Sequence, residues 1–309
     1  MSVNLLAVMF FVLMRICCLV SLLFKPLRLF YKYRDIEMNN DLAVKMNEAE
    51  SLAFIQTCCN ETIPVLEGIK SISPVSRTLS FSLPDKEALN KAVLNSTMIA
   101  FPEGMKRRHK TIIKRTFLFA DISAQVKYPK KQDAALRLAY MQRGLNAMGW
   151  AHFGKPEINE GAVSSGVTMA NLVVDIAKAA LGGIGVGTVG QVLKTGADAA
   201  IKGLEGKPEA LKIYEKNGNK SDGSNFGVMS AAESADDDIY LTVGAISYGL
   251  QSGNTHIAFF DKTSSSFNLV QGHGVFTMYA DEDYTAKKEA ECNRFYEAID
   301  AALEMEYGF

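Results

Sequence analysis

The sequence predicts an α+β fold, a central and mainly antiparallel sheet wrapped by helical hairpins. Three observations carry this. Apolar residues recur at helical spacing through 131–149 and 164–206. Five strand-like runs crowd together after Pro208. Only short Gly, Asn, Asp and Ser turns separate them, too short for crossover helices, so the pairing is mostly antiparallel. Strands and helices are segregated along the chain, the mark of an α+β architecture.

The chain opens on residues 3–24, apolar except for Asn4, Arg15 and Ser21. At about 1.5 Å rise per residue such a run is long enough to span a bilayer core. Lys25, Arg28, Lys32 and Arg34 follow it, a flank that the positive-inside rule keeps cytoplasmic. Arg15 weakens a spanning reading, at about 2.5–3.5 kcal/mol. Segment 1–37 is therefore an anchor, a leader or the product of an early start codon, and 38–309 is the single folded domain.

Within that domain, 41–59 reads as a helix with Asp41 at its N-cap, and the Pro74 region breaks the chain. RTLSFSL (77–83) alternates and reads as a strand, and Pro84-Asp85 starts a short helix over 85–95. KRRHKTIIKR (106–115) holds six Lys/Arg, either a solvated loop or edge-strand face, or a local phosphate or lipid head-group site. TFLFADISAQVKY (116–128) reads as a long strand and 131–149 as a helix. An αα-hairpin fills 164–206. The later runs 211–215, 225–231, 239–250, 255–261 and 266–279 read as strands, and 285–304 closes as an amphipathic helix.

Composition excludes several functions. Lys+Arg (33) nearly balances Asp+Glu (34), so no global field draws the chain to nucleic acid or anionic membrane. The basic stretch has no interleaved aromatics, which argues against single-stranded nucleic acid. Five cysteines in two adjacent pairs and a singlet make no disulfide framework. The four histidines form no ligand-spaced cluster, so neither metal nor cofactor is expected. No G-x-S-x-G occurs, and no acid or nucleophile is paired with His256 or His273 by a recognisable motif; catalysis is not expected. Cys58 and Cys59, like Cys17 and Cys18, are candidate acylation sites, with apolar filler as the alternative.

GGIGVGTVG (182–190) contains a literal G-x-G-x-x-G at Gly185, Gly187 and Gly190. A dinucleotide turn needs a strand running straight into the first glycine. Here helical spacing precedes it for more than three turns. With Gly182 and Gly183, these glycines read as the corner of a helical pair of small residues, either a tight core contact or a lid able to peel toward lipid.

The helical pair IAKAALGGIGVGTVGQVLKTGADAAIKGL, the following EALKIYEK and the successive strands NFGVMSAAES, DIYLTVGAISYGLQ and NTHIAFFDKTSSSFNLVQGHGVF together resemble the Cyt-type cytolytic δ-endotoxins and their relatives among fungal cytolysins and insect-gut bacterial virulence factors. RTLSFSLPDKEALNKAV is similar to the strand-to-helix opening of that fold. The resemblance covers about 200 residues in pattern and order. It implies lipid binding, bilayer disruption or oligomeric pores, and helices that swing aside from membrane-entering strands. On this chain those strands carry Ile239, Leu241, Val243, Ile246, Phe259, Phe260, Val275 and Phe276. Lys106, Arg107, Arg108 and Lys110 would meet head groups, and 172–193 would be the lid.

The expected function is thus a membrane-active, cytolysin-like toxin or virulence factor, secreted or delivered to a host membrane. Its partners would be a lipid bilayer and other copies of itself, without nucleic acid. Two alternatives stay open: a non-lytic anchored binding protein, and a nucleotide-binding enzyme using 185–190.

Overall fold

The computed structural model describes residues 45–72, 91–154, 157–183, 187–205, 207–220, 223–248, 259–263, 267–299 and 304–307. The apolar run 3–24, Met38 and the expected strand 77–83 lie outside them, as does Gly185.

The elements are α1 (Glu48–Ile72), β1 (Lys91–Leu94), β2 (Thr97–Ala100), α2 (Arg107–Lys127), α3 (Ala134–Ala147), β3 (Ala151–His152), β4 (Glu157–Val163), α4 (Met169–Ala180), α5 (Thr188–Glu205), α6 (Pro208–Gly218), β5 (Asn219–Lys220), β6 (Gly223–Glu233), β7 (Asp238–Tyr248), β8 (Phe267–Tyr279), α7 (Ala280–Asp283), α8 (Ala286–Ala298) and β9 (Glu304–Tyr307). The strands form one sheet in the order β3-β8-β7-β6-β2-β1-β9, with β4 also on β8 and β5 on β6. Every pairing is antiparallel except β2–β6, which is parallel. The α+β class expected from the sequence is the one observed.

β6, β7 and β8 make the centre, a meander of 11, 11 and 13 residues. The β6–β7 turn is fixed by the Ser234 hydroxyl, which accepts from the Asp236 and Asp238 N–H groups at 3.2 and 3.1 Å. Asp237 sits there at φ +66°, a conformation that Asp tolerates better than most residues.

Side-chain alternation sends the two faces to different helical layers. Met229, Ala231, Leu241, Val243, Ala245, Phe276 and Met278 join the core made with α1, α2, α3 and α8. Phe226, Val228, Ile246, Tyr248 and Leu269 join the core under α4, α5 and α6. The two β7 faces are the ones its alternation predicts. The result is helix, sheet, helix in three layers.

Four expectations fail. The stretch 116–128 is helical, the body of α2. Nearly every residue from Ile112 to Ala124 is buried, because α1, α3 and α8 pack around this helix over β1. Burial on all sides removes the polar stripe that separates a helix from a buried strand. LKIYE (211–215) is also helical, within α6. Pro208 occupies its first turn, where a missing N–H costs nothing, and Glu209 follows. The chain at 91–94 is strand β1, whereas a helix was expected over 85–95; Asn95 at φ +53° allows the tight return into β2. Finally, Phe259 and Phe260 lie in a turn rather than in a strand. The closing helix α8 ends at Ala298, and 304–307 return as β9 beside β1. The first helix runs on to Ile72, through Pro64.

Candidate functional site

The αα-hairpin stands where the sequence put it. Thr168 caps α4, its hydroxyl accepting from the Asn171 N–H at 3.2 Å. Gly182 and Gly183 fall in a single 3-10 turn after α4, and Gly187 and Gly190 bracket the start of α5. A helix, and no strand, leads into the glycines, so the strand a dinucleotide turn requires is missing on that side. The hairpin touches the sheet through a stripe that alternates alanines with larger apolar residues, Met169, Val173 and Ile176 in α4 among them. In the 18 residues of α5 the buried ones are Leu193, Ala197, Ala200, Ile201 and Leu204. A Cβ placed on Gly196 would lie 2.0 Å from the Ser230 hydroxyl of β6.

What the hairpin covers differs from what the other layer covers. The face under α1, α2 and α3 is apolar along the middle of β6, β7 and β8, with Glu233 at one end and, at the other, Asn225 and Ser247, which accept from Arg137 of α3 at 2.8 Å each. The face under α4 and α5 carries Ser230, Thr242 and His273 amid its apolar residues. Ser230 and Thr242 are paired neighbours in the register, and both are fully buried. Neither the Ser230 Oγ, the Thr242 Oγ1 nor the His273 Nδ1 has a hydrogen-bond partner. A buried unsatisfied hydroxyl costs about 1–3 kcal/mol. The covered state therefore carries a penalty that solvation of this face would remove. Glu233 and Asp238, both at the turn, are the carboxylates in the three strands, and Lys and Arg are absent from them.

Of the expected membrane-entering residues, Ile239, Leu241, Val243 and Phe276 face the apolar layer, while Ile246 and Val275 face the hairpin side. Phe259 is buried against Tyr214 and Phe226, with ring centroids 4.8 and 5.2 Å away, and Phe260 meets it edge to face.

The basic stretch forms the start of α2, and much of it is engaged. Lys106 pairs with Asp237. Arg108 lies 3.7 Å from Asp281 and 4.0 Å from Glu289. His109 is buried with Nδ1 2.9 Å from Glu233 Oε2, and the same carboxylate accepts the Lys106 N–H at 3.1 Å. Lys110 stands 6.0 Å over the Phe101 ring, where burial lowers its pKa. Arg107 is exposed. The acidic partners come from the β6–β7 turn and from α7 and α8, and sequence reading missed them; they lie more than 120 residues away along the chain.

Cys58 and Cys59 are buried between α1 and its neighbours, and burial raises both thiol pKa values, that of Cys58 to about 11. Among the described residues no cluster of three His, Cys, Asp or Glu can hold a metal ion, and no helix is long and apolar enough to cross a membrane.

This geometry defines a class: a three-layer α+β protein whose long antiparallel strands lie under a helical hairpin. No protein-family model matches the sequence, and no curated protein matches it. Among solved structures, a δ-endotoxin is similar at 11% identity over 65% of this chain and 90% of that one, with a TM-score of 0.36. The Evf virulence factor is similar at 10% identity over 68% and 85%, with a TM-score of 0.30. The activated Cyt2Ba monomer from Bacillus thuringiensis subsp. israelensis is similar at 9% identity over 58% and 95%, with a TM-score of 0.32. Likeness at this level concerns the general fold.

Proposed function

We propose that this chain is a membrane-active, cytolysin-like protein that binds and perturbs a lipid bilayer as a toxin or virulence factor. One observation supports this above the others. The β6–β7–β8 meander is long enough to cross a bilayer, which takes about 9–11 residues per strand, and its two faces are unequal. One is apolar along its middle. The other mixes apolar residues with the buried Ser230 and Thr242 hydroxyls, which have no hydrogen-bond partner, beneath the hairpin. A transmembrane β-structure needs one face for lipid and one for water. Moving α4 and α5 aside would hydrate Ser230, Thr242 and His273, and the apolar face would meet lipid once α1, α2, α3 and α8 also left it. Lys106, Arg107, Arg108 and Lys110 would meet head groups. The reading needs no cofactor and assigns no enzymatic step. Self-assembly would follow insertion, since an opened meander exposes unpaired strand edges.

The test is dye release from liposomes by the full chain. Leakage is expected, slowed by the double variant S230A/T242V, which removes the buried hydroxyls that favour opening. A folded protein that neither binds nor leaks liposomes would overturn the reading. Binding without leakage would instead mark a non-lytic membrane protein.

A further inference from the structure

The start of α2 is built against the usual preferences of a helix. A helix N-terminus carries partial positive charge and favours acidic residues. Here the first turn holds Arg107, Arg108 and Lys110 and no acid, and the side chain of the N-cap residue, Lys106, makes no capping bond. Carboxylates from distant elements supply the compensation. Glu233 takes the Lys106 N–H and lies against His109. Asp237 pairs with Lys106 from a left-handed backbone position fixed by the Ser234 hydroxyl bonds. Asp281 and Glu289 flank Arg108.

Two of these contacts are exposed and exchangeable. The Lys106 and Asp237 side chains are 51% and 52% accessible, and Asp281 is 85% accessible. Such pairs contribute little to stability and yield to competing ions. With these carboxylates in place, the charges of Lys106 and Arg108 are offset, while the exposed Arg107 beside them is not held by any of the four acids.

We infer that Asp237 and Asp281 are an internal mask: they occupy Lys106 and Arg108 as stand-ins for the anionic head groups of lipid, and must be displaced before that helix end engages a membrane. This rests on the head-group role given above to the same cations. The partner is an anionic bilayer surface, chosen by charge complementarity once the acids leave.

The experiment is co-sedimentation of the full chain with vesicles of equal parts phosphatidylserine and phosphatidylcholine, and with phosphatidylcholine alone. The masked cations are uncovered by D237N/D281N; asparagine tolerates the left-handed position, so the turn is preserved. D281N alone removes the nearer and more exposed of the two acids flanking Arg108 without touching the turn, should the double variant fail to fold. An E160Q/E209Q variant changes net charge equally at exposed sites elsewhere. The expected result is a gain in affinity for the anionic vesicles of roughly fivefold per uncovered cation. No gain is expected on phosphatidylcholine, and adding K106Q/R108Q should abolish it. If the wild type binds anionic vesicles and D237N/D281N gains no more than E160Q/E209Q, the mask is overturned and the head-group reading stands. If no variant binds anionic vesicles, the head-group reading fails and the mask falls with it. A gain that survives K106Q/R108Q also overturns the mask.

Discussion

Gly244 of β7 lies so close under Ala177 of α4 that a Cβ on the glycine would sit 2.6 Å from the Ala177 nitrogen and 2.8 Å from its Cβ. Two of the three short contacts are with the α4 backbone, so no rotamer change relieves them. G244A is expected to push α4 off the sheet, lowering stability by about 1–3 kcal/mol, the usual cost of overpacking. Adding A177G should restore only part of the loss, because the backbone contacts at 2.6 and 2.7 Å remain. Thermal unfolding reads both. If hairpin release limits membrane action, G244A also leaks liposomes faster at temperatures where it stays folded. An unchanged melting temperature would mean that α4 does not press on β7.

Trp150 is the single tryptophan of the chain and is fully buried. Its Nε1–H donates to the Thr116 hydroxyl at 2.9 Å, and that hydroxyl in turn donates to the Ile112 carbonyl one helical turn back at 2.8 Å. The pair ties α2 to the segment leading into β3. T116V keeps the shape and strands the indole N–H, so it should cost about 1–3 kcal/mol. T116S keeps the hydroxyl and should lose less. Urea unfolding followed by the fluorescence of this one tryptophan measures both variants. Equal stabilities for wild type and T116V would show that the bond contributes nothing net.

The hairpin was legible because Val173, Ile176 and Ala177 share one stripe of a helix whose other side is wet. The two faces of β7 were legible because strand alternation has no competitor over eleven residues. α2 was not, since Phe117, Leu118, Phe119 and Ala120 are all buried and leave no periodic signal. In α6 the five residues LKIYE alternate like a strand, and the informative residue was Pro208, three positions earlier. β9 has four residues and is held by β1, more than 200 residues away, a pairing no local pattern encodes. The candidate site divides in the same way. The basic stretch was visible, but its charge is engaged by Asp237, Asp281 and Glu233, and such contacts depend on the fold.

The buried thiols make a direct prediction. Cys58 Sγ is 3.2 Å from the Tyr140 hydroxyl, and burial holds its pKa up near 11, while Cys292 is pushed to about 12 and Cys59 is also raised. Thiolate is the reactive form, so these three should resist alkylation in the native protein at neutral pH. Reaction would proceed through unfolding, slowed by at least about a thousandfold for a stably folded domain. Timed labelling with iodoacetamide and peptide mass mapping read each site. Rapid native labelling of Cys58 or Cys59, or an acyl chain found on either, would mean that α1 opens readily from its neighbours.

His152 should make the domain sensitive to acid. Its ring stacks on Phe276 with centroids 4.4 Å apart, and neither ring nitrogen has a hydrogen-bond partner. Burial lowers its pKa from the ordinary 6.5 to about 4. The unfolded chain therefore takes up a proton before the folded one does. Stability is full above pH 6.5, declines as the pH falls, and is lost to this group once the pH passes through about 4. The total is up to about 3 kcal/mol, from 1.36 kcal/mol per pKa unit. Carboxylates titrate in part of the same range, so the measurement is the difference between the wild type and H152F. The melting temperature of the wild type should fall more steeply between pH 6.5 and 4. Parallel curves for the two proteins would show that the imidazole is solvated in the native state and that the β3 edge is looser than its packing on Phe276 implies.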